Sequence, residues 1–415
     1  MKATPVKGTN DYLPGEVRLR NYLQNEIIRT YQSCGFERIQ TPILEDIENL
    51  DKSEGGENLG LIFKVLKRGD KLHKALDNEQ YDKLADLGLR YDLTLPLTRY
   101  YANNRSHLPN PFKCIQTDQV FRAERPQKGR LREFVQCDID IIGSDSVNAE
   151  IELIYVTAQA LLNIGIGGFI IKINDKRVLK DILLRAGFKE EQLDSVCITF
   201  DKLAKIQVSG VIEELKQKGF EAEAVTRFEE ILGKGGLTLE DAAEYCHDST
   251  YIDNLRYIME QSEKLAEGKY SLAFDSSLVR GQGYYTGTVF EIESPEFGSS
   301  IGGGGRYDNM VGKFLNESIP AVGFSIGFER IVSILLNGDY EFSQLKKRAA
   351  VIYDKDRILD AMKLAQEKRE EYDVTLLERA KKLGKQLGQL ENQDYDTAFI
   401  MNDEVEEKKL QKNNG

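Results

Sequence analysis

The residues best suited to chemistry flank a basic loop. In FRAERPQKGRLREF, Phe121 to Phe134, Arg122 and Glu124 stand two residues apart on a strand-like run, so both are expected on one side of a sheet. Arginine presents a planar fork that matches phosphate or carboxylate oxygens. Glu124 can accept from an amino group or hold a metal ion. The loop adds Arg125, Lys128, Arg130 and Arg132, cations suited to a nucleotide or a nucleic-acid backbone. The same composition also describes a solvated charged hairpin. Arg330, in GFSIGFERI, stands inside an apolar helix start. A buried guanidinium needs a partner, because unpaired burial is costly. Neighbouring Glu329 can serve, and so can a phosphate or a stacked adenine ring.

Other chemistries are poorly supplied. The chain has three histidines, His73, His107 and His247, and none lies in an HExxH pattern. Its five cysteines are scattered, with no CxxC pair, which argues against a zinc ribbon or a thioredoxin-type site and suits reduced thiols. A Ser-His-Asp triad is equally ill supported. Chemistry must therefore rest on arginine, carboxylates, amides, tyrosine and backbone. The net charge of −12 counts mildly against a nucleic-acid binder, although a local basic face can dominate the field a partner meets.

Periodicity indicates the elements that must hold these groups. Val17 to Tyr31 reads as an amphipathic helix, with apolar Leu19, Tyr22, Leu23, Ile27 and Ile28 at helical spacing. Phe36 to Ile43 reads as a strand broken by Pro42, residues 51–86 as charged and helical, and Leu89 to Leu97 as a short strand and turn. FKCIQTDQVFRAE and FVQCDIDIIG predict an antiparallel hairpin around the basic loop. A helix over Asn148 to Leu162 and a strand over Phe169 to Ile173 follow. Leucines alternating with charge at helical spacing then fill a stretch ending near Gly268. Strands return at Ser271. Gly302 to Gly305 has the composition of a flexible turn, though it would also let backbone approach a ligand closely. PAVGFSIGFERIVSILL passes from strand to buried helix. Beyond Lys346 to Arg348, AAVIY, a helix, DVTLLE, a second helix and DTAFIM give a β-α-β-α-β order, the signature of a small parallel α/β unit.

At 415 residues the chain is long enough for two or three domains, and 41% hydrophobic with 30% charged residues suits a soluble globular protein. No stretch approaches the run of about 20 apolar residues that a membrane span requires. MKATPVKGTNDYLP has no apolar core behind its charges, so no signal peptide is expected and the cytoplasm is the default compartment.

Three segments in order resemble the class-defining motifs of class II aminoacyl-tRNA synthetases. GFERIQTPILE, Gly35 to Glu45, resembles motif 1 with its proline, Pro42; the basic hairpin resembles motif 2; GFSIGFERI resembles motif 3. Between the last two, LVRGQGYYTGTVFE and GGGGRYD are similar to segments of the histidyl-tRNA synthetases, as are VKGTNDYLP and LRYDLT. The resemblance covers nearly the whole chain. It implies an α+β fold: a class II catalytic domain of antiparallel sheet flanked by helices over residues 1–340, a helical insertion at about 176–268, and a short α/β anticodon-binding-like domain over 346–415.

The resemblance also implies activity and roles. Histidine is activated with ATP to histidyl-adenylate and transferred to the 3′ end of tRNA(His), with Mg²⁺ supporting the pyrophosphate leaving group and with a homodimer built through motif 1. Arg122 and Glu124 match residues that hold the α-phosphate and the adenine, and Arg330 the arginine at the γ-phosphate end; Arg130 is placed with the ATP-binding set. Asp92, Thr94 and Gln136 match groups around the α-amino and carboxylate ends of histidine. Asp140 and Tyr285, with Tyr284 beside them, match those that read the imidazole, and Arg280 matches an arginine that reaches the α-phosphate and the substrate carboxylate.

Two departures stand out. The family usually shows RGLDYY where this chain has RGQGYY, with Gln282 and Gly283, so hydrogen bonds of the missing acid are lost. The chain also ends soon after DTAFIM, so a closing strand or helix is expected to be missing or reduced, while Lys381, Lys382 and Lys385 offer backbone contacts. The alternative reading is a relative that charges no tRNA, the regulatory subunit of ATP phosphoribosyltransferase. That relative is expected to lack the catalytic arginines and the C-terminal domain.

Overall fold

The N-terminal helix α1 (Pro14–Ser33) buries Leu19, Leu23, Ile27, Ile28 and Tyr31 along one stripe, the amphipathic pattern expected from the sequence. The computed structural model describes residues 2–53, 59–125, 130–200, 202–233, 237–278, 284–337 and 345–411. Contacts divide the chain into two units, Met1–Asp11 with Leu23–Gly338, and Tyr12–Tyr22 with Asp339–Gly415.

In the larger unit, strand β1 is only Glu37–Arg38, where a longer strand is expected over Phe36 to Ile43. Pro42 has no N–H to give a ladder, which limits pairing there. After β2 (Leu44–Asp46) and α2 (Ile47–Ser53), the segment predicted to be helical instead brackets one helix, α3 (Asp70–Asp77), between strands β3 (Lys64–Leu66) and β4 (Ala85–Leu89). The three strands form an antiparallel sheet in the order β2-β4-β3. The stretch read as strand and turn over Leu89 to Leu97 is also different: β4 ends at Leu89 and helix α4 (Thr94–Asn104) begins five residues later. Pro96 lies in its first turn, where a missing N–H costs nothing.

The hairpin of β5 (Phe112–Phe121) and β6 (Glu133–Ile142) forms as predicted, antiparallel over its full length. Helix α5 (Asn148–Asn163) leads to β7 (Ile170–Asp175). Among the described residues six α-helices then intervene: α6 (Lys176–Ala186), α7 (Leu193–Phe200), α8 (Leu203–Gln217), α9 (Ala222–Leu232), α10 (Leu239–Ala243) and α11 (Ser249–Ala266). They return the chain to β8 (Ser271–Phe274), which pairs parallel with β7; a parallel pair needs such a crossover. The remainder comprises β9 (Thr288–Ser294), β10 (Ser299–Arg306), α12 (Asp308–Leu315), β11 (Ala321–Gly327) and α13 (Phe328–Asn337). The main sheet runs β1-β5-β6-β11-β10-β9-β7-β8, antiparallel except for its two outermost pairs.

Gly302 to Gly305 form no turn. They lie inside β10, paired on both sides, and a Cβ at Gly304 would stand 2.0 Å from the Gly323 carbonyl oxygen. The end of β10 is fixed by a buried ion pair: Arg306 Nε and Nη2 donate to the two carboxylate oxygens of Glu150 on α5, at 2.6 and 2.7 Å. A bidentate pair of this kind sets orientation as well as distance, and it fixes the strand end that carries Tyr307.

The smaller unit carries β12 (Lys347–Tyr353), α14 (Ile358–Lys368), β13 (Tyr372–Glu378), α15 (Leu383–Glu391), β14 (Thr397–Met401) and β15 (Val405–Lys409). The first three strands are parallel, as the β-α-β-α-β order predicts. Apolar clusters cover both faces, Ala361 and Ala365 of α14 on one side, Leu387 and Leu390 of α15 on the other. After DTAFIM the chain adds the short strand β15, which pairs antiparallel with β14. Its charged sequence, VEEKK, hid it: an edge strand exposed along its length shows no apolar alternation.

Candidate active site

One cleft of about 270 Å³ lies over the middle of the main sheet. Ten of the residues singled out from the sequence line it: Asp92, Thr94, Arg122, Glu124, Arg130, Gln136, Asp140, Tyr284, Tyr285 and Arg330. Arg280, like Gln282, Gly283 and Lys128, lies outside the described residues.

Strand β6 supplies the floor. Gln136, Asp138 and Asp140 alternate along it, so all three face the cleft. Opposite them on β11 stand Gly327, Ser325 and Gly323, in that register. The small partners are a steric necessity at one rung at least. A Cβ on Gly323 would meet Asp140 Oδ1 at 2.0 Å.

Asp140 belongs to a buried polar pair. The Tyr307 hydroxyl donates to its Oδ1 at 2.6 Å. Burial pushes the Asp140 carboxyl up to about 7; the Tyr307 hydrogen bond opposes this and the nearby Asp92 charge adds to it. Asp138 is likewise raised, by burial first and then by Asp140 and Asp92, while Ser325 and Arg122 pull the other way. Tyr307 itself is held well above the ordinary phenol range by burial and by Asp140. Asp92, at the start of α4, accepts from the Leu95 N–H at 3.1 Å, satisfying a donor of the first helical turn. Three carboxylates in one low-dielectric cleft favour a cationic ligand.

Aromatic rings form the wall. Tyr284 and Tyr285 lie with centroids 4.8 Å apart, and Tyr284 meets the Tyr307 ring edge-on at 6.1 Å.

The opposite end of the cleft is basic. Arg122 follows β5 rather than lying on it; its N–H donates to Arg132 O at 2.9 Å and so carries the hairpin pairing one residue further. Its guanidinium is held between the rings of Tyr91 and Phe134, 4.4 and 5.0 Å from their centroids. Nε donates to Tyr91 O at 3.1 Å and Nη2 to Gln136 Oε1 at 3.3 Å. These contacts aim a rigid fork into the cleft. Glu124 accepts from Arg130 at 3.3 Å. Arg330 donates to the carbonyl of Ser300 at the start of β10, and Glu329 accepts from the Val135 N–H at 3.2 Å. The described residues contain no group of three His, Cys, Asp or Glu side chains placed to hold a metal ion by themselves.

Asp138, Ser325 and Tyr307 line the cleft but were not singled out from the sequence. Alternation along QCDID would have found Asp138 once β6 was in register. Tyr307 lay in the GGGGRYD segment, but its link to Asp140 joins positions 167 residues apart and is invisible to spacing.

The family model for histidyl-tRNA synthetase matches residues 8–331. A histidine--tRNA ligase of Leifsonia xyli subsp. xyli is 44% identical over 345 residues, 80% of this chain and 80% of that protein. The crystal structure of histidyl-tRNA synthetase from Nostoc sp. PCC 7120 has a TM-score of 0.80 at 27% identity, covering 99% of this chain and 95% of that one. An ATP phosphoribosyltransferase regulatory subunit/histidyl-tRNA synthetase from Bacillus halodurans has a TM-score of 0.78 over 96% of this chain and 98% of that one. At 22% identity this last likeness is one of fold alone. With more than half of its length matched by one family model, and with a relative at 44% identity, the chain belongs to the histidyl-tRNA synthetase family.

Proposed function

We propose that this cleft activates histidine with ATP and passes the histidyl group to the 3′ end of tRNA(His). The observation that carries the reading is the polarity of one cavity: Asp92, Asp138 and Asp140 at one end, Arg122, Arg130 and Arg330 at the other. Histidine brings an ammonium and a ring with exchangeable protons. ATP brings a polyphosphate. The cleft complements both.

The chemistry follows from this. A carboxylate oxygen of histidine attacks the α-phosphorus of ATP; the new C–O–P bond forms as the bond to the β-phosphate oxygen breaks and pyrophosphate leaves. Two anions must approach each other, and Arg122 neutralises them while fixing the line of attack. Arg280 is assigned to the same task by its place in RGQGYY. A ribose hydroxyl of the tRNA terminus then attacks the carbonyl carbon, AMP departs, and no protein nucleophile is needed. Asp140 and Tyr285 are assigned to the two imidazole nitrogens, one accepting and one donating. A site built of such buried polar groups rejects side chains that leave them unpaired, by roughly 10⁴ or more in favourable cases. Mg²⁺ binds chiefly through phosphate oxygens plus one or two carboxylates. Glu124 and Glu329 on the arginine side suit that role, and the ion would neutralise the leaving pyrophosphate.

The remaining assignments rest on other surfaces. The sheet β2-β4-β3, whose first strand begins at the end of the segment that resembles motif 1, leaves Leu44, Leu66 and Leu87 exposed. Exposed leucines on a short sheet support its use as the homodimer interface. The smaller unit is assigned to the anticodon end of the tRNA, with the exposed Lys381, Lys382 and Lys385 against the backbone. The expected compartment is the cytoplasm; no helix among the described residues is long and apolar enough to cross a membrane.

Charging of tRNA(His) with radiolabelled histidine by the purified protein tests the reading. Incorporation dependent on both ATP and tRNA is expected. Absence of charging, together with stimulation of an ATP phosphoribosyltransferase in a mixed complex, would favour the regulatory alternative.

A further inference from the structure

We propose that Asp138 is a second acceptor for the α-ammonium of the bound amino acid, sharing it with Asp92. The inference rests on the reading of the cleft as a histidine site and deepens it. No role for Asp138 follows from the resemblance that assigned Asp92, Thr94 and Gln136.

The argument begins with order along β6. Its cleft-facing rungs are Gln136, which holds the Arg122 fork; Asp138; and Asp140, which holds the Tyr307 hydroxyl. Histidine presents its groups in the matching order, with its carboxylate towards the arginine, then the ammonium, then the ring. Alternate strand residues are about 7 Å apart, a spacing that a single amino acid can bridge. The middle rung therefore faces the middle group.

Satisfaction of the carboxylate points the same way. Asp138 is 6% exposed. Ser325 donates to it, and Gln136 Nε2 approaches its two oxygens at 3.4 and 3.5 Å. Contacts that long contribute little, and a carboxylate has about four lone-pair sites to fill. A buried carboxylate with weak donors is costly unless a cation completes it. The titratable and charged groups around it are Asp140, Asp92, Arg122 and Cys114 on its own face of the sheet and Tyr31 behind. Arg122 is the cation among these, and it is already engaged by Tyr91 and Gln136. An ammonium ion between Asp92 and Asp138 offsets the repulsion that these acids exert on each other.

Asp138→Asn keeps the shape and removes the charge. Affinity is measured calorimetrically for L-histidine and for imidazole-4-propionate, the same molecule without its α-amino group. The variant is expected to lose about 10- to 100-fold in histidine affinity, the range of a hydrogen bond to a charged group, and less than about twofold for the analogue. Retained analogue binding also shows that the variant is folded. Unchanged histidine affinity, or equal losses for both ligands, overturns the proposal. Asp138→Ser gives an independent reading should Asp138→Asn not fold: the same selective loss for histidine over the analogue is expected, and equal losses for both ligands overturn the proposal. Failure of the unmodified protein to bind histidine at all would count against the reading of the cleft, not against Asp138 alone.

Discussion

The Tyr307 hydroxyl donates to Asp140 Oδ1 at 2.6 Å, and this bond ties the end of β10 to the middle of β6 inside the cleft. It stabilises the ionised form of a carboxyl that burial, against this bond, still pushes up to about 7. Tyr307→Phe removes the donor and nothing else of the ring. The Asp140 carboxyl then rises further, so the pH midpoint for histidine binding moves upward and kcat/KM at neutral pH falls by about tenfold. Histidine affinity measured across pH 5.5 to 8.5 checks this. An unmoved midpoint would show that the bond is incidental.

The raised Asp140 carboxyl has a consequence for stability. Its folded value lies above the ordinary carboxylate value of 3.8, so the folded, ligand-free protein holds a proton that the unfolded chain has released. Stability should therefore decline as pH rises from about 4 through 7, because the unfolded state binds fewer protons there. Asp140→Asn should flatten that part of the profile and raise the ligand-free melting temperature at pH 8. Thermal melts of both proteins at pH 5.5 and 8 measure the difference. Equal slopes would contradict the assignment.

Gly323 is where the fold and the chemistry compete for space. Gly323→Ala places a methyl group 2.0 Å from Asp140 Oδ1 and 3.3 Å from a ring carbon of Tyr307. One of the two must move. Displacement of a reactive-site group by about 1 Å costs on the order of 10²-fold in rate, and overpacking costs about 1–3 kcal/mol in stability. Loss of histidine-dependent exchange with a fold still intact by circular dichroism is the expected result. Full activity would mean that the Asp140 geometry is not needed.

The exposed face of β2-β4-β3 gives a separate test. Leu87→Asp places a charge at an apolar position of the central strand of that sheet. If this face joins two copies, sedimentation should shift from dimer to monomer at micromolar concentration. A dimer of unchanged stability would move the interface elsewhere.

Much of this site was legible in the sequence, and the unread part has a common cause. Arg122 was found because it stands at short spacing from Glu124 beside a basic hairpin loop, whereas Gln136 and Asp140 were reached only through the family resemblance. Arg330 was found because a charge at the start of an apolar helix is conspicuous. Asp138 was overlooked although it lies between two residues that were named, since the alternation of β6 puts it on the same face. Tyr307 depends on strand register across β10, β11 and β6, which no local pattern encodes. Gly302 to Gly305 were misread as a turn because glycine disfavours strands; here the close approach of neighbouring backbone requires it. The three-stranded sheet around α3 was masked by charge, and the β15 edge strand by its exposure.

The most direct measurement is histidine-dependent exchange of radiolabelled pyrophosphate into ATP, compared between the unmodified protein and Arg122→Ala. Arg122 is held by Tyr91, Phe134 and Gln136 at the basic end of the cleft and contributes no buried ion pair to the fold. The account predicts exchange by the unmodified protein that requires histidine, and a loss of about 10²-fold or more in the variant. Exchange that is absent from the unmodified protein, or that survives loss of Arg122 undiminished, would contradict it.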